Sequence, residues 1–331
     1  MKHWILTFSS LSLLLGSLNP TLANTALANN TYQISQSKQD AQERPNLFNF
    51  QQIKLQQHRP VIALVLGSGG ARGYAHIGAI EVLEQNGIRP DFIVGTSAGS
   101  IVGALYASGK SPQQMKQIAL SMKVQDVREI KLRKKGFLDG KKVEKFVNEQ
   151  VNQLPLQNMK IPLFVVATQL KDGKKVVFNY GNTGQAVSAS TAIPSMFIPT
   201  KIGAQEYVDG GLVSPVPVDV ARQLGADIVI AVDILAQPKY TETDNMWGLF
   251  NQNINIMQHQ LSAVELQHAD VIIRPDLREK AHIFNVSERN NTMLAGGYAA
   301  QTQLANIQQI IQLKTNQLAA SSVVHQEVSQ N

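Results

Sequence analysis

Short runs rich in Val, Ile and Phe alternate along this chain with longer segments of helical period. That alternation constrains the fold more than any other feature, because parallel strands need helical crossovers between them. Strands are expected near 61–66, 92–95, 163–168, 174–179 and 227–233. Helices are expected to follow the first two strands. Ile77, Ile80 and Leu83 share one face of the first, while Ile101, Val102 and Leu105 sit among Gly and Ala in the second, which should be buried almost all round. Further helices fit 141–151, 215–224, about 250–268 and about 293–317. No internal repeat is visible. The pattern predicts one α/β domain over 59–317 with a central, mostly parallel sheet.

The N-terminus follows another logic. Lys2 and His3 precede an apolar run from Trp4 to Leu15, then Gly16, Pro20 and the small-residue site Ala26-Leu27-Ala28. That order reads as a secretory leader over 1–28, with Ala23 as the alternative cleavage site. The run falls short of the roughly 20 apolar residues of a membrane span. The expected location is therefore the periplasm or the medium. Residues 29–58, rich in Gln, Asn and Ser, read as a polar linker, and 318–331 as a polar tail. The absence of cysteine fits an oxidising compartment without proving it, and it excludes thiolate metal sites and a lipid-modified N-terminal cysteine.

Three segments carry candidate chemistry. Phe92-Ile93-Val94 runs into Gly95-Thr96-Ser97-Ala98-Gly99 and then directly into a helix, which is G-x-S-x-G in a strand-turn-helix context. Small residues at Gly95 and Gly99 let a sharp turn lift the Ser97 hydroxyl, and the helix that follows turns its positive end toward it. Upstream, a strand opens into Gly67-Ser68-Gly69-Gly70-Ala71-Arg72-Gly73, a loop whose backbone N–H groups can cradle an anion. The anion is either a dinucleotide pyrophosphate or the oxyanion of an acyl intermediate. The nucleotide reading is weakened by Arg72 at the last glycine position of G-x-G-x-x-G and by Asp91, which precedes the second strand instead of ending it. No Gly-Lys-Ser/Thr closes a phosphate loop either. Arg72 is expected to brace the loop. The third segment, Tyr207-Val208-Asp209-Gly210-Gly211 before Ser214-Pro215-Val216-Pro217, places an acid on a glycine turn, a weak signal when taken alone.

Together the three segments resemble the patatin-like phospholipases, in particular the bacterial branch similar to the catalytic domain of neuropathy target esterase. Gly69 to Gly73 match the family's G-G-x-R/K-G, Gly95 to Gly99 its G-x-S-x-G, and Asp209-Gly210-Gly211 its D-G-A/G. Gly136 to Gly140 and Ala189-Ser190-Thr191-Ala192-Ile193-Pro194 also look like family blocks, so the resemblance spans about 60–300. It implies a three-layer α/β/α fold and a Ser97–Asp209 dyad without histidine. It also implies an oxyanion hole at Gly69, Gly70 and Ala71, no metal or other cofactor, and phospholipids, lysophospholipids or simple acyl esters as substrates. Nucleic acid is not among the expected partners.

Rival readings remain at this stage. His259, His268 and His282 lie downstream of Asp209, in the chain order of a Ser-Asp-His triad, although none sits on a glycine-flanked loop. His76 on the first helix is expected to be structural. A non-catalytic lipid or protein scaffold is the alternative outside enzymes. The formal charge is +6, and removing 1–28 leaves +5. Between Lys123 and Lys145 nine basic residues face four acidic ones, again a net +5. That stretch is either a solvated face or a contact with an anionic bilayer through Arg133-Lys134-Lys135 and Phe137-Leu138.

Overall fold

A computed structural model describes residues 50, 56–123, 130–133, 136–241, 243–277 and 288–328. All of these fall in one compact unit, Gln33–Asn331. The expected leader and nearly all of the expected linker lie outside the described residues.

The expected strands form. β1 (Ile62–Leu66), β2 (Phe92–Thr96), β5 (Leu163–Gln169), β6 (Lys175–Phe178) and β9 (Ile228–Val232) occupy the apolar runs, and β1, β2 and β9 are buried along their whole length. Before β5 lies a short pair, β3 (Ile130–Arg133) and β4 (Gly136–Leu138). Neither that pair nor three further strands were anticipated: β7 (Thr200–Ile202), β8 (Gln205–Asp209) and β10 (Val271–Ile273). The main sheet runs β10-β9-β1-β2-β5-β8-β7, with β6 also paired to β5. Its β10-β9-β1-β2-β5 part is parallel, while β6 and β8 pair with β5 antiparallel, as does β7 with β8.

Helices α1 (Tyr74–Gln85) and α2 (Ala98–Ala107) follow β1 and β2, and α2 buries nine of its ten residues. α3 (Pro112–Ser121) begins at Ser111, whose hydroxyl accepts from the Gln114 amide while Gln114 reaches back, a capping box. α4 (Lys141–Gln150) occupies the predicted span, and α5 (Thr183–Ser190) is a helix of small buried residues. α6 (Val218–Gln223) starts later than expected, because Pro217, at φ −73° and ψ 55°, lies outside the helical region as its N-cap. α7 (Met246–Glu265) and α8 (Arg289–Val328) complete the chain.

Two boundary expectations are corrected. α8 continues past 317 to Val328, so the expected tail is largely helical. The expected linker supplies Phe50 to the core, where its ring stacks on Phe92 at 4.3 Å and meets Phe164 edge-on, burial that its polar neighbours gave no hint of.

The bilayer contact through Phe137-Leu138 is also corrected in part. Leu138 is buried with Met196 and Phe197, and its amide donates to the Met196 carbonyl, so it faces the interior. Lys134 and Lys135 lie outside the described residues, as do the side chains of Arg133 and Phe137.

Candidate active site

The site is assembled along one edge of β5. At Val166 that strand pairs with Thr96 of β2 on one side and Val177 of β6 on the other. At Ala167 it pairs with Val176 of β6 and with Asp209 of β8. Hence β2 and β8 share an edge, one parallel and one antiparallel to β5, and their last residues meet head to head. Ser97 follows Thr96 immediately, and Asp209 ends β8. The Ser97 hydroxyl donates to Asp209 Oδ2 at 2.6 Å, and both residues are buried.

Each partner is held by its surroundings. Ser97 adopts φ 52° and ψ −119°, a backbone state that a non-glycine residue keeps only where neighbours enforce it. Its amide donates to Ser190 Oγ at 2.8 Å, and the Ser190 hydroxyl donates to the Val166 carbonyl at 2.6 Å. The Ser100 hydroxyl donates to the Ser97 carbonyl, and the Thr96 hydroxyl to the Ser214 carbonyl. The flanking glycines are needed for space. A Cβ on Gly99 would land on the Leu66 carbonyl, and one on Gly95 would lie 2.8 Å from the Gly99 oxygen. Asp209 Oδ1 accepts from the Gly211 amide at 2.7 Å as Gly210–Leu212 turn away in a 3₁₀ segment. The Asp209 amide donates to the Ala192 carbonyl, and its carbonyl accepts from the Thr168 hydroxyl. Burial raises the carboxyl to about 6, against the opposing hydrogen bonds from Ser97 and Gly211.

The glycine-rich loop leaves β1 beside this pair. The amides of Gly67 and Ser68 donate to the Val232 and Pro215 carbonyls, and that of Arg72 to Gly69. The Gly69, Gly70 and Ala71 amides make no such bond among the described residues. Gly70, at φ 59°, opens the 3₁₀ turn Gly70–Gly73 that leads into α1. Arg72 is buried beneath the loop, and burial lowers it to about 10 while the nearby Asp233 opposes the change.

Two cavities meet at Ser97. One of about 180 Å³ is apolar and reaches Val102, Leu105, Met115, Ile118, Val143 and Phe146 between α2, α3 and α4, with Gly70 and Ala71 at its rim. The other, about 30 Å³, holds Ser68, Gly69, Asp209 and Gln258. A long apolar chain and a polar group can therefore occupy opposite sides of the same hydroxyl.

The histidines stand elsewhere. His268 Nδ1 pairs with Asp219 Oδ1 at 2.7 Å in an exposed position. His259 faces a separate cavity with Asp233 and Arg274. His76 is buried with Nε2 on the Gly67 carbonyl at 2.9 Å, and burial lowers it to about 4. His282 lies outside the described residues. Both carboxylate oxygens of Asp209 are engaged by Ser97 and Gly211, so no described histidine mediates between acid and serine. No group of three or more metal-ligating side chains occurs among the described residues. Ser190 lies in the family-like block Ala189–Pro194, but no role was expected of it, since its role depends on contacts distant in sequence.

An uncharacterised NTE family protein of Mycobacterium tuberculosis is 35% identical over 178 residues, covering 53% of this chain and 49% of the relative. The chain thus spans about half the length of that relative. Human patatin-like phospholipase domain-containing protein 6 is 30% identical over 208 residues, 59% of this chain and 15% of the human protein. The crystal structure of VipD from Legionella pneumophila aligns with TM-score 0.43 at 13% identity, covering 75% of this chain and 67% of that one. The patatin-like phospholipase family model matches residues 64–222, and that segment, which carries all three motifs, is a patatin-like phospholipase domain with NTE-family proteins among its relatives.

Proposed function

We propose that this domain hydrolyses acyl esters of phospholipids or lysophospholipids, with Ser97 as nucleophile and Asp209 as base. The observation that carries the reading is the 2.6 Å hydrogen bond between the two side chains at the mouth of an apolar cavity. As Ser97 Oγ attacks the ester carbonyl carbon, its proton passes to Asp209. The resulting oxyanion is stabilised by the amides of Gly69, Gly70 and Ala71 and by the positive end of α2. Collapse expels the alcohol, which takes the proton from Asp209 and leaves the acyl group on Ser97. Asp209 then draws a proton from water, the water oxygen attacks the acyl carbon, and the fatty acid departs as Ser97 regains its hydrogen. A carboxyl near 6 suits the task, because it is ionised at neutral pH yet more basic than an exposed aspartate. The acyl chain occupies the cavity between α2, α3 and α4.

A fluorophosphonate probe tests the nucleophile directly. Wild-type protein is expected to be labelled and to release fatty acid from phosphatidylcholine or its lyso form, whereas Ser97→Ala should do neither while melting normally. Undiminished labelling of Ser97→Ala would refute the assignment.

A further inference from the structure

α7 is amphipathic in the reverse sense from a helix on a soluble protein. Asn255, Ser262 and Glu265, spaced along one helical face, are buried. Asn255 Nδ2 donates to Thr241 Oγ1 at 2.9 Å, and the Glu265 carboxylate accepts from the Ser214 hydroxyl and from the Val216 amide at 2.9 Å. The opposite face exposes Met246 at 89%, Met257 at 52% and Val264 at 59%, with Leu249 and Leu261 beside them. A surface helix ordinarily turns its apolar stripe to the core. This one turns its polar side inward because it packs on the chain that follows the Asp209 turn, where backbone and hydroxyl groups need partners.

The outward stripe is on the order of 30 Å long for a helix of this length. Between Met246 and Val264 the sequence holds no Asp, Glu, Lys or Arg. Asn253 and Gln260 are also exposed on this face, but five large apolar side chains in solvent along one charge-free helix mark a contact with a partner or a membrane. The same helix also walls the cleft, since Ile254 and Gln258 line the small cavity that contains Ser97 and Asp209.

We propose that the stripe of Met246, Leu249, Met257, Leu261 and Val264 is the surface on which the protein lies against a lipid bilayer, with α7 in the plane of the interface. This rests on the reading that the substrate is a lipid ester. Two observations favour a bilayer over a second copy of the chain. The stripe carries no charge to set an orientation or register against a protein face, and a second copy seated on α7 would screen the adjacent cleft from lipid. Because the stripe is uncharged, the contact is made by apolar burial below neutral headgroups and is independent of the basic run at 123–145. No described helix is long and apolar enough to cross a membrane, and the proposed contact is peripheral.

The test uses the full chain carrying Ser97→Ala, so that binding is read without turnover, in flotation with phosphatidylcholine vesicles at low and high salt. Binding is expected to persist at high salt and to fall about tenfold or more when Met257, Leu261 and Val264 are changed to Gln. The double change Met246→Gln and Leu249→Gln, one helix length away, should weaken it too and serves if the triple variant melts early. Unchanged flotation of the variants, or absence of wild-type flotation, would overturn the proposal. So would a dimer in sedimentation that the triple variant dissolves, because the stripe would then belong to a second copy. Hydrolysis of a soluble short-chain ester, measured with Ser97 intact, separates the two readings. Flotation without hydrolysis removes the catalytic reading alone, and hydrolysis without flotation removes the docking surface alone.

Discussion

Replacing Asp209 with Asn should abolish activity and, at neutral to alkaline pH, make the protein more stable. Asn is nearly isosteric with Asp. Its Oδ1 can accept from the Gly211 amide and its Nδ2 can donate to Ser97 Oγ, so both neighbours keep a hydrogen bond. The amide cannot take the serine proton. Burial lifts the Asp209 carboxyl from the ordinary 3.8 to about 6, which means the folded protein favours the neutral acid more than the unfolded chain does. Above both values the native state must hold a charge it disfavours, at a cost on the order of 3 kcal/mol for a displacement of this size. The variant avoids that cost. Urea unfolding at about pH 8 should therefore show Asp209→Asn more stable by up to about 3 kcal/mol. The advantage should shrink as pH falls through about 6 and vanish below about 4, where wild-type Asp209 is neutral in both states. In parallel, wild-type hydrolysis of a short-chain ester should rise as pH increases through about 6, following ionisation of the base. A variant no more stable than wild type at about pH 8, or one retaining activity within about tenfold, would refute this account of a buried, destabilised base.

Two further substitutions probe the backbone and the cavity. Ser97→Gly and Ser97→Ala both remove the hydroxyl, but only glycine relaxes the positive φ, so Ser97→Gly should unfold at higher urea by about 1 kcal/mol; equal midpoints would mean the turn is unstrained. Val102→Phe, at the wall of the acyl cavity, should depress hydrolysis of long-chain esters at least about tenfold while sparing acetyl esters, as overfilling a packed space predicts; equal effects on both would place the acyl chain elsewhere.

The sheet centre and the serine turn were legible because their signals are local. Phe92-Ile93-Val94 is an apolar run that ends in a glycine-serine turn, and its burial leaves no other use for those side chains. β8 was missed because Gln205 and Glu206 open it at the exposed end, leaving too short an apolar pattern to read. α5 was missed for a different reason. Its Gly, Ala and Ser residues are buried against α4 and β5, where large side chains would not fit, so it lacks the bulky period by which helices are recognised. In α7 the helix was legible, while the direction its apolar residues face was not, since a periodic pattern does not show which side packs on the domain. The motif resemblance named Ser97 and Asp209. Their meeting, and the contribution of Ser190, depend on pairings between distant segments that no local pattern encodes.

Ser97 and Asp209 are 112 positions apart in the chain, yet their spacing is fixed by consecutive residues of one strand, Val166 and Ala167. β5 acts as a ruler. Whatever the intervening helices and loops do, the gap between the two side chains is measured by a single peptide step of that strand. Lengthening or recutting the chain between Ser97 and Asp209 leaves the reaction centre untouched as long as β2 and β8 keep their places on the ruler. A residue inserted in β5 between Val166 and Ala167 would add a step to the ruler and separate the pair. On the proposed mechanism the chemistry is thus insulated from variation in the walls of the cavity, so a domain of this plan can alter what it accepts without altering how it cuts.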